Sequence, residues 1–218
     1  MYLELKHEST RTLQLTRAWS LQNKTRNFEF SFSATLEETV QITGARGIKV
    51  SYALNDFQSE NLTAPTMDGL FLEFVLTDAG AISSGDSPTG HLADIAEDIR
   101  CAWITPELGV QGLCWTTEPG IHSKLEKPMR QFEAGVEHRI TQVREQELII
   151  ESVADISLKL EPAIRLGPLH GRARQVTTLH RHGGPTEMKR EAKIMLHDPN
   201  QGKPVPIDVL SMLKVIEN

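Results

Sequence analysis

Two histidines and a glutamate stand at a spacing suited to holding a metal ion. They are His180, His182 and Glu187, in the run His-Arg-His-Gly-Gly-Pro-Thr-Glu. Residues at i and i+2 on a strand project to one face, so both imidazoles can reach one ion. A carboxylate returning from the Gly-Gly-Pro turn would complete a two-histidine, one-carboxylate set for Fe(II), Mn(II) or Zn. The same stretch is basic. No acid lies between Glu161 and Glu187, an interval that carries Arg165, Arg172, Arg174 and Arg181, with His170 among them. Guanidinium forks match phosphate and carboxylate groups, so His170 and these four arginines are candidate anion- or partner-binding residues.

The His-x-His-x4-Glu run resembles the first metal motif of the cupin family. That resemblance implies a β-barrel, a divalent metal ion and a further histidine from a later strand. The only later histidine is His197, and the family's glycine six residues before the first histidine is Arg174 here. Gly85-Asp86-Ser87 resembles the nucleophile sequence of the GDSL-type hydrolases, but it sits mid-chain and reads more simply as a helix cap at Ser87. No Gly-x-x-x-x-Gly-Lys-Ser/Thr loop and no Gly-x-Gly-x-x-Gly turn is present, which disfavours nucleotide-dependent phosphoryl transfer and dinucleotide redox chemistry.

These residues need elements to position them. Period-two alternation dominates the chain, most clearly in Phe28-Glu-Phe-Ser-Phe-Ser33. Such alternation marks strands with one buried face and one wet face. Turn residues separate many short runs of this kind, which favours a mainly β, largely antiparallel fold, a sandwich or barrel, over βαβ units. Leu92, Ile95, Ile99 and Trp103 recur at three-to-four spacing, so a helical insertion is expected over about 86–105. Leu210, Leu213 and Ile216 suggest a C-terminal helix over about 208–216. One domain covering 1–218 accommodates all of this.

Charge bounds the partners. Lys plus Arg is 23 and Asp plus Glu is 29, a net of −6 that opposes sequence-independent binding to nucleic acid. The charge is uneven, with −7 in residues 1–109 and +1 in residues 110–218. Cys101 and Cys114 are too few for a disulfide framework, and their apolar flanks read as buried free thiols. No secretory signal and no membrane span is visible, which points to the cytoplasm.

The expectation that follows is a non-catalytic structural or interaction protein, of the kind found among viral and phage assembly proteins. It would self-associate or bind an acidic protein partner through the basic His/Arg segment, without a cofactor. A cupin-like metal-dependent enzyme built on His180, His182 and Glu187 is one alternative. A receptor for a small anionic ligand, with an apolar interior and an arginine-lined mouth, is the other.

Overall fold

The alternating run belongs to a sixteen-residue strand whose burial alternates from Ser31 to Gln41, with Phe28 exposed near its start. β2 (Asn27–Ile42) buries Phe32, Ala34, Leu36, Glu38 and Val40 on one face while the intervening residues face outward. The computed structural model describes residues 3–5, 8–22, 27–42, 47–61, 67–76, 82–85, 91–117, 135–158, 169–197 and 203–217. The fold is mainly β and antiparallel, with one short helix among the described residues. β1 (Ser9–Gln22), β2, β3 (Ile48–Glu60), β4 (Phe71–Leu76) and β5 (Ile82–Gly85) form a first meander. After α1 (His91–Ala102), a second meander comprises β6 (Cys114–Thr117), β7 (Val136–Val143), β8 (Glu147–Leu158), β9 (Leu169–His180), β10 (Gly184–Leu196) and β11 (Val205–Glu217).

The two meanders join through their outermost partners in sequence. β1 pairs with β11, so the eleven strands among the described residues make a single sheet in the order β5-β4-β3-β2-β1-β11-β10-β9-β8-β7-β6. The sandwich or barrel of the sequence reading takes the form of one sheet with β5 and β6 at its margins.

The expected helix over 208–216 is a strand. β11 sits at the centre of the sheet, between β1 and β10. Its inward residues Ser211 and Leu213 are buried, and its outward residues Leu210, Met212 and Ile216 are exposed. Apolar residues on both faces of one strand imitate a three-to-four repeat, and pairing on both sides decides against the helix. The insertion expected over 86–105 is α1, shorter at both ends; the cap expected at Ser87 lies outside the described residues. Cys101 is half-buried, whereas Cys114 is exposed, contrary to the reading of two buried thiols.

The sheet curls around α1. Arg100 holds its guanidinium 5.2 Å from the Phe74 ring on β4, and the carbonyl of the next residue, Cys101, accepts a 2.6 Å hydrogen bond from Gln175 on β9. β4 and β9 are six steps apart in the sheet, a span of about 29 Å if the sheet were flat. Adjacent helical residues reach both strands because the sheet is a trough with α1 lying in it. Trp103 bridges the trough in the same way. Its indole N–H donates to the Tyr52 hydroxyl on β3 at 2.7 Å, while its ring lies against Gly184 of β10. Leu13, Leu15, Leu36, Leu54, Phe74, Ile95, Ile99, Ile140 and Leu148 are fully buried in the core that results.

Candidate functional site

The basic segment is drawn out along β9 and its turn. His170, Arg172 and Arg174 lie on the outer, convex face of β9, all exposed. Each arginine there faces one cross-strand carboxylate, with Lys193 on the other side of Arg172 and Val153 on the other side of Arg174. Arg172 Nε is 3.7 Å from Asp155 Oδ1, and Arg174 is in register with Glu191 of β10. Arg181 lies in the turn between β9 and β10, where it pairs with Glu4. Arg165 lies outside the described residues.

The metal set does not assemble. β9 ends at His180 and residues 181–183 form the turn, so His182 is not the next same-face position of a continuing strand. The His182 amide donates to His180 Nδ1 at 3.3 Å, and His182 Nδ1 lies 3.0 Å from the Glu4 carbonyl. Glu187 projects from the outer face of β10, opposite Thr178 and Lys214. Among the described residues no three His, Cys, Asp or Glu side chains gather where they would hold a metal ion.

What the fold gathers instead is a polar band across the floor of the trough. In register from β7 to β1 it runs His138, Ser152, Gln175, Arg190, Ser211, Arg17. All but Arg190 are buried, and its side chain is only 19% exposed. The acidic side of α1 lies on this band. Arg17 reaches Asp98 at 3.1 Å and Asp94 at 3.3 Å, and Arg190 reaches Glu97 at 3.2 Å and Asp98 at 3.7 Å. Burial raises the Asp98 carboxyl above the usual carboxylate range, against the pull of Arg17 and Arg190. At the other end His138 sits between two hydroxyls, Thr117 and Ser152, each at 2.8 Å, and stacks on Trp115. Burial lowers its pKa to about 4, so the imidazole is neutral near pH 7. Burial also pushes the Cys101 thiol up to about 11, which leaves it without thiolate reactivity at neutral pH.

A second buried chain closes the deep end. Arg11 pairs with Glu38, which accepts a 2.7 Å hydrogen bond from the Tyr52 hydroxyl. Burial and the Glu38 carboxylate hold the Tyr52 phenol well above its ordinary pKa, so it stays a donor. With Trp103 donating to Tyr52, each partner is satisfied, and the chain fixes α1 to the first meander.

The polar band divides two apolar zones. On its deep side, Ile140, Ile150, Met188, Leu213 and Leu15 are fully or almost fully buried under α1. On its other side the next row reads Ala154, Ala173, Ala192, Val209, Trp19, Phe30 in register across six strands. Ala173 and Ala192 are buried, while Ala154, Val209, Trp19 and Phe30 are only half-buried. Small residues make up this row on β8, β9 and β10, and Ile156 and Ile194 of the row beyond pack against them. Gly171, one row further out, has no room for a side chain, because a Cβ would lie 2.2 Å from the Lys193 carbonyl oxygen of β10. Further along the sheet from the alanines, on β1, β2 and β3, stands an aromatic wall, with the Trp19 and Phe32 rings 5.5 Å apart and Phe32 and Phe57 5.7 Å apart; Phe32 is buried in the main core, and Trp19 and Phe57 pack against it. Arg17 lies 5.1 Å from the Trp19 ring and links the wall to the polar band.

The residues of this site lie far apart in sequence, and no motif joins them. A signal was present all the same. Arg17, Gln175 and Ser211 are polar residues at the inward positions of otherwise apolar alternations, as in Leu13-x-Leu15-x-Arg17-x-Trp19.

No family model and no curated protein sequence matches the chain. A solved structure described as "lipid-protein interactions in lipovitellin" is similar in fold, with a TM-score of 0.59 at 9% identity. The match covers 94% of this chain and 25% of the lipovitellin chain, so this chain spans about a quarter of that protein's length.

Proposed function

We propose that the chain is a binding protein that takes an apolar chain, such as the acyl chain of a lipid, into the half-buried end of its trough. The observation that carries this reading is the row Ala154, Ala173, Ala192, Val209, Trp19, Phe30, which lies beyond the polar band. A floor of alanines leaves width over the strands, and an aromatic wall offers large apolar area at small entropic cost. The polar band and the acidic side of α1 bound the site at depth, so an apolar guest stops there and keeps its polar end toward the open side. The fold likeness to lipovitellin, a protein described by its lipid interactions, supports the same reading. No helix among the described residues is long and apolar enough to cross a membrane.

Titration with a brominated fatty acid tests it, because Trp19 belongs to the proposed wall. Saturable quenching of tryptophan fluorescence is expected, together with its loss in an Ala192→Trp variant, which fills the floor. A saturating signal that survives in Ala192→Trp, or no saturable quenching in the native protein, overturns the reading.

A further inference from the structure

On the outer face of β10 the exposed side chains read Glu187, Lys189, Glu191, Lys193. On the outer face of β11 they read Asp208, Leu210, Met212, Lys214. The register sets Glu187 opposite Lys214, Lys189 opposite Met212, Glu191 opposite Leu210, and Lys193 opposite Asp208. Read backwards, each strand inverts every charge, and β11 keeps its apolar pair in the middle. A surface with that property complements itself. If a second copy is laid face to face, related by a two-fold axis crossing the strands between Lys189 and Glu191, every charge meets its opposite. Lys193 meets Glu187 of the second copy, Glu191 meets its Lys189, Asp208 meets its Lys214, and Leu210 meets its Met212.

We infer that the outer face of β10 and β11 is an isologous interface between two copies of this chain. The flanks fit the same operation. The outward residues of β1 in these rows, Gln14, Thr16, Ala18 and Ser20, are uncharged. On β9 the operation sets Arg172 against Thr178 and Arg174 against Val176, so no like charges meet. Ile216, 52% exposed, falls against Pro206 of the second copy. Leu210 and Met212, 37% and 43% exposed, are large apolar residues facing outward at the centre of the patch. Two chains of net charge −6 repel, whereas β10 and β11 carry three basic and three acidic side chains on this face, which therefore adds no net repulsion. Because the face is convex, contact centres on β10 and β11, where two strands by four outward rows cover about 250 Å² per copy, an area suited to a weak, salt-sensitive dimer. The closed two-fold contact gives a dimer and stops there.

The test is a charge swap between copies. The native protein is expected to dimerise in low salt, as read by light scattering over a concentration series. Glu191→Lys alone and Lys189→Glu alone each set like charges against each other twice, and should weaken self-association at least about tenfold. An equimolar mixture of the two variants restores both pairs and should form a heterodimer. Circular dichroism melts establish that both variants are folded. A monomeric native protein, single variants that remain dimeric, or a mixture that fails to associate overturns the inference.

Discussion

His138 is the residue whose chemistry is most changed by the fold. Its imidazole is held neutral between Thr117 and Ser152, with a pKa of about 4 against an ordinary value of 6.5. The unfolded chain therefore binds the proton more tightly than the folded one. The stability that rests on neutral His138 is complete above about pH 6.5 and is lost as pH falls toward 4, by no more than ~3 kcal/mol. Denaturant melts between pH 7 and pH 4 should show this slope, and His138→Gln should flatten it relative to the native protein. Gly184 is a second informative position. Its φ is +76°, and a Cβ there would lie 2.5 Å from Trp103 Cη2. Gly184→Ala forces both the backbone and the indole, and a loss of about 2–4 kcal/mol in denaturant melts is expected. Neither role could be read from sequence. His138 lies in an ordinary alternating run, and Gly184 stands in a run whose spacing reads as a metal-binding turn. His180 and His182 are conspicuous through their spacing. Spacing decides nothing until it is known where a strand stops.

At the scale of elements, α1 is held in the trough by charge on one side and apolar packing on the other. Asp98 lies between Arg17 and Arg190, and removing it takes away the one carboxylate they share, leaving Arg17 with Asp94 and Arg190 with Glu97. Asp98→Ala is expected to cost about 3–5 kcal/mol, more than Asp98→Asn, as measured by urea unfolding. Ile99→Ala, on the apolar side and fully buried, should cost about 2–5 kcal/mol through the cavity it leaves. The helix was legible in advance, since Leu92, Ile95 and Ile99 recur at helical spacing, and so were most strands of the two meanders. β11 was not. Apolar residues on both faces remove the alternation by which a half-buried strand is known, and only its pairing with β1 and β10 fixes it as a strand. The arginines of β9 illustrate the same limit. A gap in the run of acids along the sequence looks like a basic patch, but Asp155 and Glu191 arrive beside Arg172 and Arg174 from neighbouring strands.

For the whole molecule, the decisive contact is the longest in sequence. The β1–β11 ladder places Trp19 opposite Val209 and joins meanders that α1 otherwise links. Removal of residues 203–218 exposes the β1 and β10 edges together, and cooperative unfolding of the remainder should be lost in calorimetry. Native-state hydrogen exchange should place the slowest amides in β1, β10 and β11, at the middle of the sheet, and the fastest in β5 and β6 at its margins. Mainly β class and antiparallel pairing followed from alternation and turn spacing. Strand order did not, because nothing local in a sequence states that its first and last strands are neighbours.

That arrangement has a mechanical consequence. Thr12 lies opposite Glu217, so the start of β1 and the end of β11 leave the sheet side by side. Tension applied through these two ends pulls the strands apart sideways, along the direction of their hydrogen bonds. The ladder is then loaded one pair at a time from Thr12 and Glu217 inward, as in peeling tape, and not all at once as in shear. The sheet should in this way part at low force, and it should part first down its centre line.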